Sequence, residues 1–387
     1  MTFLIVGASA SGLYTSIFLK RKHPDAKVIV FERNAKPGRK LNATGNGHCN
    51  LMNLSFDGSY FNNPEFVNLL LEEFPLKAMI RAIESFGIPL LNKGDLVYPL
   101  SYSAKTYTET LFTLAKKLGV EFNFGIELND FKPKGNQIEV SFPNGKLITD
   151  KLILATGGRS QSKLGSDGKI IDLLSRKGID IIPLTPSLCP LKTEEKTKAL
   201  SGVRHGARIS LFSAGKCLYE EMGEVLFKDD GLSGIAIFNA SSFIARNPGQ
   251  YEIQIDFFPE MELGQLESKM KEAKEVLGEG YLEAILEEKF ADEIRAKFRR
   301  NGTKDKEIAD ICGYLKKASF HVKGLYGFED SQVSHGGVSL EEMNPDLSLA
   351  KFPNVHLVGE IIDIDGRCGG FNLGWCLLSS LKVAKAL

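Results

Sequence analysis

Four apolar residues, Phe3 to Val6, open the chain and end at Gly7. An apolar run this short, bounded by glycine, predicts a buried β-strand. Ala10 to Arg21 repeats apolar positions at helical spacing, and Val28 to Phe31 forms a second apolar run. The three together predict a strand–turn–helix–strand unit of the βαβ type. Residues 64–87 and 103–118 carry helical patterns, and Lys151 to Ala155 reads as a further buried strand. From Glu121 to Leu147, strand-like runs are broken by Lys134-Gly135-Asn136 and Pro143-Asn144-Gly145, which predicts a small antiparallel meander.

The pattern changes after Pro183. Pro183, Pro186 and Pro190 crowd together as in a linker. Ala207 to Phe227 alternates weakly, and Tyr251, Ile253, Ile255 and Phe257 alternate cleanly, so a β-rich region is expected. Residues 262–317 are rich in charge. Leu266, Met270, Ala273 and Leu277 stand at helical spacing, as do Ile308, Ile311, Cys312 and Leu315. That predicts helices with solvated outer faces. From Gly336 the glycine-rich, buried-strand character of the first region returns. One domain interrupted by an inserted middle accounts for this order.

Composition adds limits. At about 150 residues per domain, 387 residues allow two to three domains. Lys+Arg and Asp+Glu both number 48, so no global field recruits nucleic acid or an anionic membrane. No apolar run approaches the ~20 residues needed to span a bilayer. The first residues read as a strand, not as a signal peptide. Six scattered cysteines form no Cys-x-x-Cys pair, which suits reduced thiols and a cytoplasmic location. Glycine, at 38 residues, is the one excess, roughly 10 % against an ordinary ~7 %.

Part of that excess lies where chemistry is expected. Gly7-Ala8-Ser9-Ala10-Ser11-Gly12 joins the first strand to the first helix. A dinucleotide-binding turn has glycine at its first, third and sixth positions, and here Ser9 replaces the middle one. Glu32, twenty residues after Gly12, ends the next strand, where an acid accepts ribose hydroxyls; Arg33 follows it. An acid there favours FAD or NAD over NADP. The plainer alternative is a glycine turn that only packs a βαβ unit.

Further segments carry a resemblance. They are Gly38-Arg39-Lys40-Leu41-Asn42-Ala43-Thr44-Gly45-Asn46-Gly47-His48-Cys49-Asn50, Ala155-Thr156-Gly157-Gly158, Gly336-Gly337, and the stretch from Gly359-Glu360 through Asp363 and Arg367 to Gly369-Gly370-Phe371-Asn372-Leu373. Together they resemble a bacterial family of FAD-binding NAD(P)/FAD-dependent oxidoreductases, aminoacetone oxidase-like or dehydro-bile-acid reductase-like. The resemblance runs through nearly the whole chain. Three positions depart from it: Ser9, His48 in place of arginine, and Lys228-Asp229-Asp230 before Gly231.

The resemblance implies an α/β fold: a discontinuous, glutathione-reductase-like FAD-binding Rossmann domain with an inserted β-barrel and helical subdomain. Residues 1–187 and 336–387 would form the FAD domain, 188–258 and 318–335 the β-rich insert, and 259–317 the helical insert. Cofactor contacts are expected at Gly7, Ser9, Ala10, Ser11, Gly12, Glu32, Arg33, Arg39, Lys40, Thr44, Gly45, Asn46, Gly47 and Cys49. Others are expected at Ile126, Ala155, Thr156, Gly157, Gly158, Gly359, Glu360, Asp363, Gly370, Phe371, Asn372 and Leu373. The helix after Gly7 would offer free N–H groups to the pyrophosphate. By resemblance Ile126, placed on the meander, contacts adenine, Glu360 or Asp363 accepts a ribityl hydroxyl, and the helix opening at Gly370 faces the flavin ring.

No second glycine fingerprint exists, because Gly278-Glu279-Gly280 lacks its third glycine. NAD(P)H, if it is the electron donor, would therefore dock only transiently. Candidates for proton transfer or substrate binding are His335, Arg367 and His48; no metal-ligand spacing stands out and no metal is expected. The expected function is an FAD-dependent oxidoreductase acting on a small metabolite, either an amine oxidase or an NAD(P)H-dependent enone reductase. The alternatives are a flavoprotein of tRNA modification and a non-catalytic flavin-binding redox module. Neither a nucleic-acid nor a membrane partner is expected, and the oligomeric state stays open.

Overall fold

The structure, a computed structural model, describes residues 1–298 and 304–387. The chain divides into two compact units. The first joins Met1–Thr185 to Gln332–Leu387, and the second is Pro186–Ser331.

The first unit is built on a six-stranded sheet. At its centre β1 (Thr2–Val6) pairs in parallel with β2 (Lys27–Glu32) on one side and with the Lys151–Leu154 strand on the other. The Phe352–Leu357 strand lies parallel beyond Lys151–Leu154, and a short antiparallel strand, Ser348–Leu349, ends that side. Phe3, Leu4 and Ile5, like Leu152, Ile153 and Leu154, are wholly buried, as expected of parallel strands covered on both faces. Helix α1 (Ala10–Lys22) packs against the C-terminal helix (Phe371–Ala386). Tyr14 from α1 and Trp375 from the C-terminal helix are among the largest fully buried side chains.

Two elements differ from the sequence expectation. Glu121–Phe124 does not belong to the meander; it pairs in parallel with β2 as the outer strand of the main sheet. The antiparallel meander is confined to Asp130–Lys134, Gln137–Phe142 and Gly145–Thr149. Ile126 accordingly lies in the loop that leaves the main sheet, not on the meander. An exposed edge strand and a meander strand show the same alternation, so pattern alone does not separate them. Residues 64–87 form two helices, Pro64–Glu73 and Leu76–Glu84. Pro75 lacks the N–H that would continue the first helix, and it disfavours helical backbone at Phe74.

In the second unit a closed six-stranded barrel runs Leu191–Thr193, Gly231–Ser233, Lys216–Lys228, Arg204–Ser213, Glu252–Asp256, Ala318–Leu325 and back to the first. Ile209, Leu211, Val225, Ile253 and Ile255 are wholly buried in this unit's core. The helices Leu263–Leu277, Glu288–Phe298 and Lys304–Lys316 add Leu266, Met270, Ile294, Ile311 and Leu315 to it, while Leu277 stays exposed.

Candidate functional site

The glycine turns of the first unit converge with the two ends of the chain. A Cβ on Gly12 would lie 1.9 Å from the carbonyl oxygen of Gly7, so only glycine lets α1 start this close to β1. Ser9 has φ −95°, an extended conformation open to any residue, which explains why the middle glycine is dispensable to the backbone. The Ser9 side chain caps nothing, so the first N–H groups of α1 keep no intrahelical partner. Glu32 is buried beside them. Its carboxylate accepts the N–H of Ala8 at 2.8 Å and both the backbone and side-chain N–H of Asn34, at 2.8 and 2.7 Å. These bonds tie the turn to the end of β2.

Several expected contacts are already engaged within the protein. Arg33 pairs with Asp167 at 2.7 Å and lies 3.7 Å from Glu127. The Ile126 N–H donates to the Glu32 carbonyl. Ser11 sits against Gly359, where a Cβ would meet its Oγ at 2.2 Å. Arg39 donates to Asn34 Oδ1 from an exposed position. Lys40 is bound more tightly, to Ser160 Oγ at 2.5 Å and to Glu360 Oε2 at 2.6 Å. Glu360 Oε1 in turn accepts from Ser160 Oγ and from the Ser334 N–H. Lys40 and Glu360 thus neutralise each other, across 320 residues of chain.

The loop after α2 (Arg39–Ala43) is unusual. Gly45, Asn46 and Gly47 all have left-handed backbone, with φ 54°, 52° and 85°. Successive residues of this kind hold N–H groups on one side of a loop, where an anion or carbonyl can be received. Thr44 donates to the Leu41 carbonyl. Cys49 is wholly buried, and burial pushes its thiol up to about 12, so it faces the interior as an inert protonated group.

The chain's other end meets this loop. Asn53 donates to the Gly369 carbonyl at 3.1 Å, and a Cβ on Gly370 would collide with the Met52 backbone. Gly370 precedes the C-terminal helix without a side-chain cap, which leaves the N–H groups of Phe371, Asn372 and Leu373 at an open helix end. The Phe371 ring stacks on Tyr60 at 4.4 Å. The Asn372 amide is occupied at both atoms by the Gly366 backbone, so only its main chain is available to a ligand.

Beside this helix end lies a cluster that no sequence spacing singled out. His335 Nδ1 is 2.9 Å from Asp365 Oδ1 and 3.9 Å from Asp363 Oδ1. Asp365 is almost fully buried. Burial raises the Asp363 carboxyl above its ordinary range, and Asp365 adds to that while His335 opposes it. Asn62 holds both acids: its Nδ2 donates to Asp363 Oδ1 at 2.9 Å and its Oδ1 accepts the Asp365 N–H at 3.0 Å. Gly337 makes the approach possible, since a Cβ there would lie 2.7 Å from the Ile361 carbonyl oxygen. Arg367 stands over the other aromatic of this corner, 5.6 Å from the Tyr60 ring centre. His48 lies elsewhere, stacked on Tyr102.

The residues present fit FAD. Two uncapped helix N-termini, those of α1 and of the C-terminal helix, present open backbone donors. Thr156 Oγ1, after the Lys151–Leu154 strand, and Asn42 Oδ1, in α2, are buried polar atoms without a partner among the described residues, in the two segments expected to line the cofactor.

Known proteins give the same picture. A family model described as the HI0933-like protein Rossmann domain matches residues 1–386. A 3-dehydro-bile acid delta(4,6)-reductase of Clostridium scindens is 29 % identical, over 99 % of this chain and 98 % of its own. A ribosomal RNA dihydrouridine synthase of Haemophilus influenzae is 26 % identical, over 99 % and 98 %. Among solved structures, the 3-ketosteroid-delta4-(5alpha)-dehydrogenase of Rhodococcus jostii shares the fold, with a TM-score of 0.54 at 12 % identity over 99 % of this chain and 95 % of that one.

Proposed function

The chain belongs to the HI0933-like Rossmann-domain family, and on that premise we propose that this FAD-dependent oxidoreductase saturates a carbon–carbon double bond conjugated to a carbonyl in a small, steroid-like metabolite. The observation that carries the reading is the His335–Asp365 pair beside the open end of the C-terminal helix. When bound, FAD would carry two electrons as hydride from NAD(P)H to the substrate. The balance is one enone, one NAD(P)H and one proton giving one saturated ketone and one NAD(P)⁺.

The protein's part is to bind, orient and protonate. The N–H groups after Gly7 and along Gly45–Gly47 would hold the phosphates and neighbouring chain of the cofactor. Those of Phe371 to Leu373 would favour negative charge on the ring system placed at the helix end. Asp365 accepts from His335 Nδ1 and so leaves Nε2 to the substrate; the protonated imidazole gives its Nε2 proton to the carbon next to the carbonyl. Asn62 and the Asn372–Gly366 bonds keep Asp365 in place for this. An amine oxidase would need no such proton donor on the substrate side.

A second reading is dihydrouridine formation in ribosomal RNA, supported by the relatives named for that activity. It is the same chemistry, since uridine also carries a double bond conjugated to a carbonyl. Residues 186–331 weigh against it, with 25 Asp+Glu against 21 Lys+Arg, because a phosphate backbone calls for the opposite balance.

The test is anaerobic. The yellow protein is bleached with NADPH or NADH, then mixed with a 3-keto-4-ene steroid or with unmodified ribosomal RNA. Return of the yellow colour with the steroid, and a saturated product, supports the first reading. Return with RNA alone replaces it with the second, and return with neither overturns both.

A further inference from the structure

Lys93, Tyr102 and His48 form a three-layer stack that the proposed chemistry does not use. The His48 ring lies on one side of Tyr102, centroids 4.0 Å apart and planes 18° from parallel. The Lys93 ammonium also sits against the Tyr102 ring, 3.6 Å from its centre. Tyr98 meets Tyr102 edge to face at 5.0 Å. His48 Nδ1 is 3.1 Å from the Tyr102 carbonyl, and a carbonyl only accepts, so Nδ1 carries the proton. In the neutral ring Nε2 is then an acceptor. Tyr102 holds its place with φ +50°, a left-handed conformation that costs a bulky residue energy.

The stack has two chemical ends. At one is an exposed ammonium with no carboxylate within ion-pair distance among the described residues. At the other is an imidazole with a fixed tautomer, immediately after the Gly45–Gly47 turn and two residues before Asn50. In its hydrogen-bonded orientation the Asn50 amide joins the Met52 carbonyl to the Gly370 N–H, at the open end of the C-terminal helix. A cation and one fixed hydrogen-bond acceptor, held on the two faces of one ring, match two groups of a dinucleotide: a phosphate and an amide.

We propose that the Lys93–Tyr102–His48 stack is the docking site for a reduced nicotinamide dinucleotide, with Lys93 on a phosphate and His48 Nε2 accepting from the carboxamide N–H. This rests on the reading of the protein as an NAD(P)H-dependent flavoenzyme. It also answers a topological need, since the sequence contains no second dinucleotide turn.

The experiment uses the FAD-loaded protein in two assays. The first measures binding of NADP⁺ and NAD⁺ by calorimetry, with no electron transfer. The second follows anaerobic bleaching of the flavin by NADPH and NADH, and by dithionite as a donor that needs no docking. Lys93 is exposed, so Lys93→Ala leaves the fold intact; His48→Gln and Tyr102→Leu probe the other layers. Lys93→Ala is expected to weaken dinucleotide binding about tenfold, the loss of one charge-assisted contact, and to flatten its salt dependence. His48→Gln should weaken it less and leave the salt dependence as it was. Bleaching by dithionite should be unchanged in all three. A loss with both dinucleotides assigns Lys93 to the shared pyrophosphate, and a loss confined to the NADP forms assigns it to the 2′-phosphate. Unchanged affinity and salt dependence in Lys93→Ala and His48→Gln would overturn the proposal. Normal NADP⁺ binding by a protein that reduces no enone would leave this site standing and remove the proposed function instead.

Discussion

Acidification should cost the first unit about 3 kcal/mol through a single histidine. His356 lies in the Phe352–Leu357 strand, opposite Ile153 on one side and Ser348 on the other, and is wholly buried. Neither ring nitrogen has a hydrogen-bond partner among the described residues. Asp346 Oδ2 is 3.5 Å from Nε2, too distant to offset desolvation. Burial pushes the imidazole down to about 4, with Asp346 acting against the shift. In the unfolded chain the same group takes its proton near the ordinary ~6.5. Between these values the unfolded state binds one proton more than the folded state, so stability falls as pH falls. A separation of about 2.5 units at 1.36 kcal/mol each gives ~3 kcal/mol, present above pH ~6.5 and gone below about 4. Trp375, the one tryptophan of the chain, is buried in this unit and reports its unfolding. Urea unfolding followed by tryptophan fluorescence, at fixed FAD concentration, should show the wild type losing that amount relative to His356→Leu between pH 7 and 4. A difference that stays flat across the window, or one in which the wild type gains, would mean instead that Asp346 holds the imidazole charged.

Three further outcomes follow from the same geometry. Lys40→Met leaves Glu360 largely buried with only neutral donors, so the unfolding free energy of the first unit should drop by about 3 kcal/mol; Lys40→Met/Glu360→Gln together should recover most of it, which a double-mutant cycle in urea measures. Gly337→Ala, at φ +138° and against the Ile361 carbonyl, should destabilise by several kcal/mol by thermal melting and lower the rate of enone reduction more than that of flavin bleaching, because His335 moves with it. Cys49 should resist thiol reagents in the native protein at pH 8 while Cys217 reacts at once, as counted by mass spectrometry; labelling of both at similar rates would contradict the burial described.

Local chemistry was legible from the chain, and distant chemistry was not. The β1–α1–β2 unit could be read because its strands are pure apolar runs and its turn needs Gly12 for steric reasons that act over a few residues. Ser9 was correctly a departure of sequence, yet the backbone there is extended and carries no strain. Asp363 was expected at a ribityl hydroxyl, but its meeting with His335 and Asp365 escaped notice, because His335 is some thirty residues away and Asn62, which holds both acids, about three hundred. No period or spacing encodes such a meeting. Lys40 and Glu360 were each read as cofactor contacts, and the chain gave no sign that the fold also sets these two opposite charges against each other. Pro75 went unread within residues 64–87, because the helical period on both sides of it concealed the break.

The split of the first unit also dictates an order of assembly at the ribosome. When residue 185 has been made, the Lys151–Leu154 strand has a partner on one side only, and α1 lacks the helix that covers it. Both gaps wait for residues 352–387, which are made after the whole second unit. In the interval the barrel, a closed ring with no free strand edge, can fold alone, while the nascent first unit shows an open hydrophobic edge. Loss of the Phe371–Ala386 helix is therefore a worse injury to this protein than its distance from the glycine turns suggests, because it uncovers α1.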